Sequence, residues 1–273
     1  MDTAGSFRLI ADRGVTFCAG LVQRHPYLWK FAWETIHRLP ILLPHDKSYR
    51  ALRHFIALKP EGLFLDVGAN DGISALSFRR FSKTYRILSL EPNPLLEPKL
   101  KRLKESDPRF DYKLVGAGSV GERMKFFVPI YKNVVLHTFT SSNRDHILAA
   151  IVESFGKAVA HAVELKAFDC DIIPIDALNI DPTIIKIDVE GFDYTVVQGL
   201  SATIGRARPF IIIELSAAKY EQIKEGLSER DYVLLTYNTS SDSFSPAPAS
   251  FEASRYRNYF AVPDNFVKSI PLK

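Results

Sequence analysis

Leu63-Phe64-Leu65-Asp66-Val67-Gly68-Ala69-Asn70-Asp71-Gly72 is the stretch on which the fold turns. An apolar run carries one acid, then breaks into a turn built from small and polar residues. This is the pattern of a buried strand that feeds a tight loop, with a helix expected from Ile73 to Phe81. Gly68 lacks a Cβ, so the backbone can turn there and approach a ligand. Asn70 tolerates left-handed geometry better than most residues. Gly72 lets the helix begin close to the strand.

The same rhythm continues outward from this loop. Arg86-Ile87-Leu88-Ser89-Leu90 reads as a second strand and Pro94 to Lys104 as a helix. Asp111 to Val115, Ile184 to Asp188 and Phe210 to Leu215 read as further strands, with a helix from Tyr194 to Ile204 between the last two. Alternation of short apolar runs with helices implies a parallel sheet covered on both faces. A helix near Tyr220–Glu229 and strands near Tyr232–Tyr237 and Tyr256–Val262 complete the expectation. It is a doubly wound, mostly parallel, seven-stranded, Rossmann-like α/β sheet. The polar run from Ser240 to Ser250, with its two prolines, is expected as a loop.

Two regions lie outside this rhythm. Residues 1–55 are expected as a helical arm, because Trp29, Ala32, Trp33 and Ile36 recur at helical spacing. Such an arm packs on the main domain, lies on a membrane surface through its Trp and basic residues, or forms a homodimer contact. Residues 56–273 form the main domain, interrupted by an insertion at about 118–172. That insertion is far longer than one crossover helix requires.

Composition narrows the class. The chain has 273 residues, 47% apolar and 24% charged, enough for a full core and too apolar for disorder. The net charge of +4 is spread along helix faces, which argues against a nucleic-acid stripe. Two cysteines, Cys18 and Cys170, support neither a disulfide scaffold nor a zinc ribbon and favour a reducing, cytoplasmic setting. The first residues lack a signal-peptide pattern, and no uncharged run reaches membrane-spanning length.

In open α/β sheets, ligands bind beyond the carboxyl ends of the strands. The first such loop lacks the G-x-G-x-x-G spacing of dinucleotide folds, since Asn70 replaces the second glycine, and no Walker loop is present. Asp66 would repel a diphosphate and suits a cationic amino group. Glu91, closing the second strand, can accept two hydrogen bonds from a ribose diol, and Asn93 can cap the helix that follows. A nucleoside with an amino-acid tail fits both acids, and S-adenosylmethionine has that shape. Lys186, Asp188 and Glu190 alternate at the end of the fourth strand, where three ionisable groups on one face are costly unless paired or functional.

At these positions the chain resembles the FkbM family of class I methyltransferases. The resemblance rests on Phe64 to Gly72, Leu90-Glu91-Pro92-Asn93, Ile175-Asp176-Ala177-Leu178 and Ile185 to Asp193, followed by Gly199-Leu200 and Ile213-Glu214. It covers roughly residues 55–215 and implies S-adenosylmethionine as cofactor, with methyl transfer to a hydroxyl of a sugar, glycan or secondary metabolite. Carried over by position, Asp66, Gly68, Asn70, Gly72, Glu91, Asn93 and Gly116 would line the cofactor. Val115-Gly116-Ala117-Gly118 lacks the polar or acidic residue more usual after the third strand. Asp188, Glu190 and Lys186 would lie at the reaction centre, with Asp188 as base or acceptor-positioning group. His137, in the insertion, is a second candidate base. Asp188 with Glu190 also makes a candidate Mg²⁺ pair. The competing readings are a nicotinamide-dependent oxidoreductase, a binding module that keeps the fold without the chemistry, and a nucleic-acid methyltransferase.

Overall fold

A computed structural model describes residues 44–189, 191–215, 217–251 and 258–273. Most of the expected arm, together with Glu190, lies outside the described residues. The described elements, in chain order, begin with α1 (Leu52–Leu58), β1 (Leu63–Val67), α2 (Ile73–Phe78), β2 (Arg86–Leu90), α3 (Glu97–Ser106), β3 (Phe110–Lys113) and β4 (Gly116–Ala117). Next come β5 (Glu122–Tyr131), β6 (Val134–Val135), α4 (Arg144–Phe155), α5 (Lys157–Ala162) and β7 (Glu164–Ile173). Then follow β8 (Ile184–Ile187), α6 (Asp193–Gln198), α7 (Ser201–Ala207), β9 (Phe210–Glu214), α8 (Tyr220–Ser228), β10 (Tyr232–Asn238), β11 (Ser243–Pro246), β12 (Asn258–Pro263) and α9 (Asp264–Val267). The chain divides into two compact units, the larger spanning 40–123 and 170–273 and the smaller including 124–169.

The larger unit holds a sheet of order β11-β10-β12-β9-β8-β1-β2-β3. Its β9-β8-β1-β2-β3 portion is parallel, and β12, β10 and β11 add antiparallel pairs. Successive side chains alternate between two cores. Leu65, Val67, Ile185, Ile187, Ile211 and Ile213 enter one with α6, α7 and α8. Phe64, Ile184, Phe210 and Ile212 enter the other with α1, α2 and α3. Tyr49, Ala51, Leu52 and Phe55, from the end of the expected arm, are buried in this second core. The chain reverses direction across the sheet between β1 and β8, which is the switch point where a crevice opens.

Among the described residues, the sheet has eight strands rather than the expected seven. Ser243–Pro246, expected as loop, pairs antiparallel with β10 from Asn238↔Ser243 to Leu235↔Pro246. Phe244 is fully buried against Tyr237 and Phe260. One aromatic anchor holds this edge strand, and Pro246 is tolerated because an edge leaves its missing N–H without consequence. The third strand ends at Lys113, short of the expected Val115, and Gly116–Ala117 instead pairs with Ile172 and Ile173.

The helix expected over 194–204 is broken in two at Gly199-Leu200. The Gly199 carbonyl accepts the Asp176 N–H at 2.9 Å instead of an N–H of the helix, and a Cβ on Gly199 would lie 1.8 Å from the Gly118 carbonyl oxygen. Asp176 then starts α7 afresh. Its carboxylate accepts the Ala202 N–H (2.9 Å), the Thr203 N–H (2.7 Å) and the Thr203 hydroxyl (2.7 Å).

The smaller unit has a core of its own, with Tyr131, Val134, Leu136, Ile147, Ile151 and Phe155 among its buried residues. A hairpin joins β5 to β6 through Lys132 and Asn133, both left-handed at φ 46° and 65°. Asn143 caps α4 by accepting the N–H groups of Asp145 and His146. The strand β7 begins at Glu164, after α5.

Candidate active site

Three polar residues form one row across the carboxyl ends of the central strands. Asp66 on β1 is in register with Ser89 on β2 and with Lys186 on β8. In a parallel sheet, register partners point to the same face, so their side chains meet. All three are buried, Asp66 completely. The Asp66 Oδ2 accepts the Ser74 hydroxyl at 2.5 Å and the Ser89 hydroxyl at 3.2 Å. Its Oδ1 lies 3.6 Å from the Lys186 ammonium. Ser74 stands in the first turn of α2, so the start of that helix covers the row.

Lys186 joins this row to the loop after β1. Its Nζ donates to the Gly68 carbonyl at 2.9 Å and lies 3.3 Å from the Asp188 Oδ2. Burial pulls the ammonium's pKa down, but the charges of Asp188 and Asp66 more than offset that and raise it. The loop is also held from β2, where the Leu90 carbonyl accepts the N–H groups of Gly68 (3.0 Å) and Ala69 (3.1 Å). Gly68 has φ 77° and Asn70 φ 52°, both left-handed. Gly72, at φ 85°, precedes α2 beside Leu103.

Glu91 closes β2 and is only 6% exposed. Its Oε2 accepts the Asn70 N–H and its Oε1 the Asn93 N–H, each at 2.8 Å. It therefore ties the first loop to the second. Burial pushes its carboxyl up to about 7, against the pull of the Asn93 and Asn70 donors. Each carboxylate oxygen retains further acceptor capacity. Asn93 caps the short turn at Pro94–Leu96 by accepting the Leu95 N–H at 3.0 Å. Gly116 is buried on β4 beside Ile172 and Pro92.

Asp188 follows β8 with its carboxylate 30% exposed, the most open acid of this group. The structure thus gathers Asp66, Gly68, Asn70, Glu91, Lys186 and Asp188 at the ends of β1, β2 and β8 in the larger unit. His137 opens a short turn, His137–Phe139, in the smaller unit. Among the described residues, no group of three His, Cys, Asp or Glu side chains is placed to hold a metal ion. No helix among them is long and apolar enough to cross a membrane.

Sequence reasoning passed over Ser74, Ser89 and Asp193. Asp193 is 5% exposed, and burial pushes its carboxyl up to about 6. Its Oδ1 accepts the Val189 N–H at 3.4 Å and so steadies the turn that carries Asp188. Its place in the Asp188–Asp193 charge run was the available signal. Ser74 and Ser89 gave none, because serine in a strand or a first helical turn is commonplace.

The topology and the loop after β1 define the class, that of Rossmann-like methyltransferase folds. The methyltransferase FkbM domain family matches residues 66–238, and the chain belongs to that family. The solved methyltransferase FkbM of Methylobacillus flagellatus is 17% identical, with a TM-score of 0.46, covering 89% of this chain and 60% of that one. This chain therefore spans 60% of the length of that relative. A precorrin-6y C5,15-methyltransferase of Geobacter metallireducens is 12% identical, with a TM-score of 0.42 over 81% of this chain and 88% of that one. An SAM-dependent O-methyltransferase of Thermotoga maritima is 11% identical, with a TM-score of 0.39 over 84% of this chain and 66% of that one. No curated protein sequence matches the chain significantly.

Proposed function

We propose that this chain binds S-adenosylmethionine at the ends of β1 and β2 and methylates a hydroxyl oxygen of a sugar, glycan or other small metabolite. Membership of the FkbM methyltransferase family supports methyl transfer. The observation that carries the cofactor assignment is the acid set on adjacent strands, Asp66 and Glu91. A diphosphate would meet these acids and Asp188, while the nearby cation Lys186 is 5% exposed and engaged by protein oxygens. A cationic nucleoside without phosphates meets no such penalty.

The donor set also fits. Among the described residues, the buried Asp66 Oδ1 and Asn70 Oδ1 accept no hydrogen bond, although the Lys186 ammonium lies 3.6 Å from the former. Buried acceptors left this way are costly, so a ligand bearing N–H donors suits the loop. Glu91 would accept from the ribose hydroxyls. Bound there, the cofactor would supply a methyl group on a sulfonium sulfur, whose neutral thioether is a good leaving group.

The chain's own residues would then serve the acceptor. The Asp188 carboxylate is open enough to accept a hydrogen bond from the acceptor hydroxyl and to take its proton as the oxygen becomes a nucleophile. Lys186 holds that carboxylate from its buried side. Isothermal titration calorimetry with S-adenosylmethionine tests the first half. Binding by the wild type, weakened at least ten-fold in Asp66→Ala and Glu91→Ala, is expected, and no binding by the wild type defeats the reading. Incubation with methyl-labelled cofactor and a panel of glycans tests the second half. Asp188→Asn, which keeps an acceptor oxygen for Lys186, should lose turnover and keep cofactor affinity.

A further inference from the structure

Lys186 bonds to the Gly68 carbonyl across 118 positions of sequence, with Nζ···O 2.9 Å. An ammonium has three N–H donors. Three oxygens surround this one: the Gly68 carbonyl at 2.9 Å, the Asp188 Oδ2 at 3.3 Å and the Asp66 Oδ1 at 3.6 Å. With 5% of its surface exposed and its nearest contacts the Gly68 carbonyl and the Asp188 carboxylate, Lys186 lacks access to solvent with which to move a proton for an acceptor.

The Gly68 peptide is held from two sides. From β2, the Leu90 carbonyl takes the N–H groups of Gly68 and Ala69. From β8, Lys186 takes the Gly68 carbonyl. Two further contacts come from the β8 side: the Asp188 N–H donates to the Val67 carbonyl at 3.1 Å, and a Cβ on Gly68 would lie 1.9 Å from the Asp188 carbonyl oxygen. The Asp188 bond fixes the Val67–Gly68 peptide, whereas among the described residues the Gly68 carbonyl itself is held from the β8 side by Lys186. A buried ion pair gains little over two apolar residues of the same size. An apolar residue at position 186 would pack equally well and could not hold a carbonyl.

We propose that Lys186 is a positioning residue that pins the Gly68 peptide and thereby sets the cofactor loop Gly68–Gly72 against the end of β8. The name given to the loop rests on the S-adenosylmethionine reading above, whereas the pinning itself is a property of the ligand-free chain. The Asp66 and Asp188 carboxylates orient the ammonium, and the ammonium orients the loop. Asp66 then acts on the ligand through Lys186 and Gly68 as well as by its own charge.

The test separates pinning from general stability. Asp66→Asn with Lys186→Met removes both charges together and leaves no lone buried carboxylate. Hydrogen–deuterium exchange on the full-length protein without ligand is read for the peptide covering 66–72 and for the β9 and β12 peptides, alongside thermal melting. The expected result is cooperative melting, unchanged β9 and β12 exchange, and loop amides that exchange at least ten-fold faster. Calorimetry should then show at least ten-fold weaker S-adenosylmethionine binding. Lys186→Arg provides a second variant that keeps the charge beside both acids. Its longer planar fork cannot keep one donor on the Gly68 carbonyl while pairing both carboxylates, so loop exchange should rise at least three-fold. Wild-type loop protection in either variant that folds overturns the assignment. Faster loop exchange together with no cofactor binding by the wild type leaves the pin standing and defeats the cofactor reading instead.

Discussion

Gly68 and Asp188 approach so closely that a Cβ on the glycine would sit 1.9 Å from the Asp188 carbonyl oxygen. That oxygen belongs to backbone and cannot swing away, and φ at Gly68 is 77°. Gly68→Ala therefore combines backbone strain with a clash and should cost about 2–4 kcal/mol. Thermal melting should fall by roughly 5–15 °C, and cofactor binding should fall with it. A melting temperature within 1 °C of wild type, by differential scanning calorimetry, would show that the loop is looser than this contact requires.

Glu91 gives the site a pH dependence of defined sign. Its carboxyl stands at about 7 in the fold, above its ordinary value of 4.5. Between those values the folded state binds the extra proton, so its contribution to stability declines as pH rises from 4.5 to 7. The full change is on the order of 3 kcal/mol, and Glu91→Gln should flatten it. Cofactor affinity runs the opposite way, because a ribose diol needs the carboxylate form as acceptor. Calorimetric affinity should be about ten-fold higher at pH 8 than at pH 6. Equal affinities would mean that Glu91 does not receive the ribose.

Asp242 locks the turn between β10 and β11 to α1. Its carboxylate meets Arg53, His54 at 2.9 Å and the Tyr237 hydroxyl at 2.5 Å. Burial pushes its pKa up, but the hydrogen bonds from Tyr237, His54 and Arg53 pull harder and hold it well below the ordinary 3.8. The folded state thus holds this acid ionised where the unfolded chain would protonate it. That stability is complete above pH 3.8 and is lost as pH falls below it. Asp242→Asn should lower the melting temperature by several degrees at pH 7, with the difference narrowing in acid. A difference that stays constant down to pH 2 would contradict the ion network.

Cys170 is buried, and burial pushes its thiol up to about 11. Thiolate is the reactive form, so the native protein should resist alkylation at this position. Mass spectrometry after iodoacetamide at pH 8 should find Cys170 unmodified until denaturant is added. Rapid native modification would place Cys170 in a region that opens readily.

The parallel strands were legible because each is a dense apolar run, buried on both faces, that ends in a turn. The acids at Asp66, Glu91 and Asp188 stood out because charge interrupts such runs only at a cost. The eighth strand was hidden because Phe244 alone marks it among serines and prolines. The break at Gly199 was hidden because its backbone neighbours, Asp176 and Gly118, come from distant parts of the chain. Asp66 was read from its loop as a group for a ligand's amino nitrogen. Its protein partners, Ser74, Ser89 and Lys186, come from α2, β2 and β8, and only strand register brings the last two beside it.

The reach of Lys186 across 118 positions to Gly68 also has a consequence for how the chain acquires its site. The loop is encoded early in the sequence, and the group that fixes it arrives only when β8 inserts beside β1. Contacts this distant close late, because the intervening chain must first give up its freedom. A ribosome that has released residues 1–150 has therefore made every atom of the loop and none of its anchor on this side. Ligand competence should appear as a late step in refolding, after the helices have formed and together with docking of the fourth parallel strand.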